Sequence, residues 1–518
     1  MQRSISREWQ SGKLSVALFC VLTLITAVVS ATGQNVQFAD DALEAIVRNA
    51  VGKESGLLTA EDLEVLAELH ASDAGITHLD GLEFARNLRV LDLERNGLIS
   101  AAPLSDLTQL EVLNLNDTGI RTMQYLRKLT HLRELRLAGN RIGDLEPLAN
   151  LTQLEVLHLQ GNGSSEISVV KAFTKLRVLN LRGNFIQDVS PVIGLVELEE
   201  LHLGDNHLND LSQLSDLTKL RLLSLDRNEI ADLSPLAELV ALEKLWLSAN
   251  EITSIEALRG LAQLVELDLA HNRVADLSPL VGCQQLEILR TSWNPLSSLD
   301  ALGSLSSLRM LDISWTSARD LSPLQSAGML SSLEASGNRI ASLASLCELQ
   351  HLRTLNVSGN EISDLSPLSG MESLNYLNIG SNRIEDLSPL VGCSGLNILL
   401  APDNNVKELT TLSVPDGLQW ADLSGNELRV IPDLSQWMHL VRLDLRHNLI
   451  CDLSPLVAAR CAGHSRGGLA VDLRDNLLDT TPGSQAMTDL SALESCGTVV
   501  VYDTTLCERY GICKYVDL

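Results

Sequence analysis

Aromatic side chains are scarce in this chain: Phe, Tyr and Trp make up 3% of 518 residues. The interior must therefore be filled almost wholly by Leu, Ile and Val. Basic residues are also short, 39 Lys and Arg against 66 Asp and Glu, for a formal net charge of −27. Nucleic acid and anionic membrane surfaces both need a basic face, so the balance argues against either as a partner. It keeps a Leu-rich chain soluble and favours a basic partner. There is no C-x-x-C pair and no zinc spacing among nine cysteines, no Gly-rich phosphate loop, no calcium-loop spacing and no nucleophile motif. The expectation is a protein without cofactor or metal, without a small-molecule substrate, and not an enzyme.

Long apolar runs are absent too, with one exception. Arg3, Arg7 and Lys13 precede the uncharged stretch Leu14–Ala31, which ends in the small residues Val29-Ser30-Ala31. This pattern predicts a signal peptide over residues 1–31, cleaved before Thr32. At 18 residues the run is also just long enough to cross a bilayer, so an uncleaved membrane anchor over 14–31 is the alternative.

What fills the chain is a repeat. The Asn that closes L-x-x-L-x-L-x-x-N falls at Asn96, and the same slot recurs every 22 residues through Thr118, Asn140, Asn162 and onward, with Thr316 in place of Asn, to Asn448. A degenerate copy precedes the series at Ala74, and another follows 28 residues after the last regular slot, at Asn476. About nineteen units of one supersecondary element make an array, not a set of globular domains.

Each unit has a fixed logic. In Leu220–Leu236 the residues Leu220, Leu223, Leu225, Ile230, Leu233 and Leu236 point inward. The short strand centres on L-x-L, so the intervening residues face outward on a concave side. Asn228 turns the chain, and its carboxamide suits a ladder of bonds to the neighbouring turn. Ser234 is expected to cap, and Pro235 to open, a short helical or 3-10 turn on the convex side. The same D-L-S-P-L recurs at Asp276, Asp320, Asp364, Asp386 and Asp452, which makes it architecture and not a site.

The ends differ. Asp40-Asp41 opens an amphipathic helix with Leu43, Ile46 and Val47 on one face, and Thr59 with Asp62 forms a box-like cap for a second short turn. The expected organisation is a signal over 1–31, a helical cap over 32–63, the solenoid over 64–480 and a Cys-containing cap or tail over 481–518. Cys283 and Cys393 sit 11 residues before their Asn slots, in a column where other repeats carry Leu195, Leu217, Leu239, Leu261, Phe173 or Met371, and read as buried fillers. Cys451, Cys461, Cys496, Cys507 and Cys513 read as one or two cap disulfides with a thiol left over, their pairing open. The segment Val457–Gly467 interrupts the period and groups with this cap.

L-x-x-L-x-L-x-x-N-x-I-x-D-L-S-P-L at strict 22-residue spacing resembles the short leucine-rich repeats of bacterial internalins. It is also similar to the leucine-rich-repeat regulatory subunit of protein phosphatase 1. The resemblance covers about Asp40 to Asn476. It implies an α/β solenoid, a leucine-rich-repeat horseshoe with a parallel concave sheet and short helical or 3-10 turns outside. No immunoglobulin-like region follows the repeats here and no L-P-x-T-G lies near the C-terminus, so wall anchoring and host invasion are not implied. The phosphatase analogy conflicts with the export signal.

Function in such an array belongs to its surface columns. The column four residues before each slot includes His158, His202, Trp246, Asp268, Arg290, Asp312, Glu334 and Leu400, and other outward columns add Trp293, Trp315, Tyr376 and Trp420. His158 and His202 stand two repeats apart, about 10 Å, too far to share a metal ion. Exposed Trp beside charge is hot-spot composition. The candidate partner site is therefore Trp246, Asp268, Arg290, Trp293, Asp312, Trp315, Glu334 and Tyr376. The expected function is an exported protein that binds a protein ligand, favourably a basic one, on its concave face. The alternatives are a glycan-binding surface protein and an intracellular or membrane-anchored scaffold.

Overall fold

The computed structural model describes residues 34–409, 417–431, 439–461 and 468–503. The signal segment, Cys507 and Cys513 lie outside them. The chain forms two compact units, residues 1–207 and 208–518.

In the first unit, seven three-residue strands from Glu68–His70 to Glu200–His202 pair in parallel, each residue opposite the one 22 positions on. Ahead of them, α1 (Asp41–Val51) buries Leu43 and Val47, while Ile46 is half-buried. Asp40 caps α1 by accepting from the Ala42 and Leu43 amides at 3.0 and 3.1 Å. Its other oxygen accepts from the Thr77 amide at 2.8 Å, so one carboxylate ties the helix to the first repeat. Thr59 and Asp62 form the reciprocal capping box of α2 (Ala60–Leu63).

In the second unit, thirteen strands from Leu222–Ser224 to Val499–Val501 form a parallel ladder. The register is 22 residues until Arg442 pairs with Ala470, and the sheet then adds one more strand, Val499–Val501, beyond the last Asn slot. The inserted stretch contains α3 (Ser454–Cys461), and α4 (Gln485–Ser495) follows the last slot and buries Ala486, Leu490 and Leu493. Cys461 and Cys496 are joined in a disulfide, while Cys451 is exposed and unpaired.

The same forces build every unit. The middle residue of every strand but the last, Val499–Val501, is a buried apolar side chain, and 3-10 turns such as Ser234–Leu236 follow on the opposite side. This is the expected leucine-rich-repeat solenoid. The Asn slot is buried, with Asn250 half-buried, and its carboxamide is hydrogen-bonded. Asn338 donates to the carbonyls of Ile313, Ala335 and Ser336 at 2.8, 3.0 and 3.3 Å, and accepts from the amides of Thr316 and Ala318 at 3.0 Å each. Where Thr holds the slot, the preceding repeat adjusts: the Leu98 and Leu296 amides bond backbone carbonyls instead.

The D-L-S-P-L turn corrects one expectation. Ser234 does not cap, because it is itself the first residue of the 3-10 turn. Asp232 does the accepting, from the Ser234 amide and hydroxyl at 2.8 Å each. Cys283 and Cys393 are buried fillers, and burial pushes each thiol up to about 11. Cys347, which the repeat columns leave out, is exposed and unpaired.

A column seven residues before the slot alternates Arg and Glu from Arg89 to Glu243. Arg89–Glu111, Arg133–Glu155 and Arg177–Glu199 pair across neighbouring repeats in the first unit, and Arg221–Glu243 in the second. Each pair is exposed and weakly stabilising, but a like charge in any slot would face repulsion from the neighbouring repeats.

Candidate functional site

The second unit's sheet places Trp246, Asp268, Arg290, Asp312 and Glu334 side by side, one per strand, in direct register. All five are half-buried on the strand face opposite the Leu core. Asp268 accepts from the Ala270 amide and Asp312 from the Ser314 amide, each at 2.9 Å, which fixes both carboxylates. Arg290 donates to Glu266 at 2.8 Å, so the row's one cation is drawn toward a neighbouring column.

Burial pushes the Asp268 carboxyl above its ordinary value. The Ala270 amide and Arg290 oppose this, while Asp226 and Asp312 add to it. Burial does the same to Glu334, opposed by a hydrogen bond with Asn356 and reinforced by Asp312. The row is thus a line of partly dehydrated carboxylates whose negative charge is incompletely neutralised.

Trp293 and Trp315 do not join this row. They occupy the position immediately before the slot, where the backbone turns left-handed, with φ of 58° and 57°. That conformation recurs along the array at Arg95, Asp117, Ala249, Asp403 and others, because the residue's amide reaches across to the next repeat, as Trp293 does to the Ser314 carbonyl at 2.9 Å. The two indoles stack with centroids 4.8 Å apart and planes 12° from parallel, and His271 stacks on Trp293 at 5.4 Å and 10°. Trp293 is 49% and Trp315 53% exposed. Of the three Trp expected in the candidate patch, Trp246 lies in the strand row and the other two in the turn row. His271 completes the stack and is absent from the sequence-derived site, although it shares the column of the two Trp.

Tyr376 lies on the strand Tyr376–Asn378, two strands beyond Glu334. Burial and the nearby Glu334 hold its phenol above its ordinary value, against a hydrogen bond with Asn378. Trp420 is half-buried under the Arg442 guanidinium, 4.9 Å from the ring centroid. In the first unit, burial and Arg136 hold the His158 imidazole below its ordinary value. His202 lies two strands away.

The parallel three-residue strands, Asn ladder and 3-10 turns define the class: a leucine-rich-repeat solenoid. A family model for pairs of leucine-rich repeats matches residues 130–172, 174–218, 218–260 and 329–370. An internalin, inlF of Listeria monocytogenes, is 30% identical over 65% of this chain and 95% of its own, with a TM-score of 0.56. The functional domain of InlJ from the same organism is 21% identical over 85% of this chain and 83% of its own, with a TM-score of 0.51, and shares the fold. The PEPR1–AtPEP1 structure aligns with a TM-score of 0.61 at 19% identity, over 84% of this chain and 69% of that one, again a likeness of fold. No curated protein matches the sequence. The chain belongs to the internalin-like family of leucine-rich-repeat proteins.

Proposed function

We propose that this chain is an exported, non-catalytic binding protein whose partner is another protein, held against the outer sheet face of the second unit. The observation that carries the reading is the exposed Trp293–Trp315 stack, flanked by the half-buried row Trp246, Asp268, Arg290, Asp312 and Glu334. Large rigid aromatics beside fixed charge supply contact area at little cost in ordering, which is what a binding hot spot requires. The carboxylates favour a basic partner.

The stack also weighs against a glycan. A sugar ring packs on an open aromatic face, and here the facing surfaces of Trp293 and Trp315 are taken up by each other, leaving mainly edges to solvent. The PEPR1–AtPEP1 structure pairs a protein of the same fold with AtPEP1, which favours a peptide or protein ligand. Export rests on the signal pattern over 1–31, on the cell-surface character expected of internalin-like proteins, and on the Cys461–Cys496 disulfide, a bond of oxidising compartments. Among the described residues no helix is long and apolar enough to cross a membrane. The proposed organisation keeps the helical cap over 32–63, the repeats over 64–480 and the C-terminal cap over 481–518.

The test is capture from native extracellular extract by the exported protein, by a Trp293→Ala/Trp315→Ala variant and by an Asp268→Asn/Asp312→Asn/Glu334→Gln variant. A protein retained by wild type and lost by both folded variants is the expected result. Equal retention by all three would remove this face from the function. Mass spectrometry of the exported chain should find an N-terminus at Thr32, and an intact Met1 would overturn export by cleavage.

A further inference from the structure

The column that supplies Asp268, Asp312 and Glu334 is polar or charged nearly throughout, from His70 to Asp472. Its one aliphatic member is Leu400, half-buried on the outer face of the strand Ile398–Leu400. Ile398 lies on the same face of that strand and is paired with Tyr376 on the preceding one. The Tyr376 strand stands two steps beyond the Glu334 strand in the same parallel ladder, so the carboxylate row leads to this apolar step across one intervening strand. Among the described residues neither Asp312 nor Glu334 has an ion-pair partner, the nearby Arg290 being engaged by Glu266.

Two strands carry the carboxylates, Asp312 opposite Glu334, and three strand steps separate Glu334 from Leu400. At one strand spacing per step that is about 14 Å, the span of four to five residues of extended chain. An unpaired carboxylate pair calls for a cation, and an aliphatic shelf in an otherwise polar column calls for an apolar side chain.

We infer that Asp312 and Glu334 together with Tyr376, Ile398 and Leu400 form a two-part cradle for an extended basic peptide segment, which runs across the strands with Arg or Lys over the carboxylates and an apolar side chain four to five residues away on the shelf. This rests on the protein-binding reading above and names the chemistry of its ligand. The carboxylates steer and orient, and the shelf sets register along the chain.

The probe is a set of fluorescein-labelled synthetic peptides on a Ser background, each with Arg-Arg and a Leu separated by one, four or eight residues, titrated by fluorescence polarisation against the full exported protein. The four-residue spacing should bind at least fivefold tighter than the other two. Leu400→Ser should erase that preference while leaving the salt dependence of binding in place. Glu334→Gln should weaken all three peptides and flatten their salt dependence. Circular dichroism confirms that each variant is folded. Equal affinity across spacings, or a preference that survives Leu400→Ser, would overturn the cradle. If that happens while partner capture still depends on Trp293, Trp315 and the carboxylates, the proposed function stands and only the cradle is wrong. Loss of both removes the binding reading itself.

Discussion

The Trp315 indole lies across the backbone of Gly337. A Cβ built on Gly337 would collide with three carbons of that ring. Gly337 occupies the same left-handed turn position as Trp315, one repeat on, with φ of 65°. The stack of His271, Trp293 and Trp315 therefore ends on a residue that presents no side chain, and the ring is seated on main chain.

Gly337→Ala should unseat that stack. Gly359 provides the control, since it has the same kind of backbone, with φ of 66°, but its built Cβ comes no nearer than 3.4 Å to any neighbour. Gly359→Ala should cost only the left-handed penalty, about 1 kcal/mol. Gly337→Ala should cost more and should also reduce the coupled Trp signal in near-ultraviolet circular dichroism. Equal losses for the two variants would mean that the Trp315 contact contributes nothing.

Asn338→Ala should destabilise the second unit by about 2–4 kcal/mol, because it strands the Thr316 and Ala318 amides, which have no other hydrogen-bond acceptor, and removes three donations to buried carbonyls. Asn338→Thr should cost less. Thr316 shows why: its hydroxyl donates to the Ile313 carbonyl at 2.8 Å, covering part of what Asn covers. Urea denaturation of the two variants measures the difference, and Ala equal to Thr would remove the ladder as the cause.

The raised carboxyls Asp268 and Glu334 predict a pH dependence with a definite sign. A carboxyl whose value is higher in the folded than in the unfolded state holds its proton longer in the folded state. Its contribution to stability therefore falls as pH rises from the ordinary carboxylate range through the raised value. Asp268→Asn/Glu334→Gln should remove that decline. The lowered carboxyls of Asp320 and Asp364 are held down by hydrogen bonds from Ser322 and Ser366 and act oppositely. Their stabilisation is present above the ordinary range and is lost as pH falls through the lowered value. Thermal melts of wild type and the double variant across the acidic range test both signs.

Reduction of Cys461–Cys496 should loosen the C-terminal end alone. The bond closes a separation of 35 residues, which corresponds to a stabilisation of about 3–4 kcal/mol. In a repeat array such a loss stays near its origin. Hydrogen exchange after dithiothreitol treatment should rise in α3, α4 and the strand Val499–Val501, with the Asn294–Asn382 turns unchanged.

Much of the fold is legible in the sequence because one period carries it. Asn140 and Asn338 announce buried turns by their spacing, and Leu223 or Leu311 a strand centre, since every repeat must present the same inner surface to its neighbours. The columns of the candidate site are legible in the sequence, and the contacts among its rings and charges are not. Trp246 and Trp293 stand in different columns, one on the strand and one at the turn, but spacing alone does not tell that the turn is left-handed or that its two indoles stack. Ser234 misleads for a similar reason: the cap of its turn falls on backbone geometry and on Asp232, not on the residue type that usually caps.

The sequence by itself determined the repeat, the inward residues, the acidic balance and the identity of the surface columns. These follow from periodicity, and periodicity is a property of the chain. Only the tertiary structure decided that Trp293 and Trp315 stack, that Arg290 leans to Glu266 and leaves Asp312 and Glu334 without an ion-pair partner among the described residues, and that Cys461 takes Cys496. Those contacts depend on side-chain direction and on distances between residues 22 or more positions apart, which residue spacing along a chain does not encode.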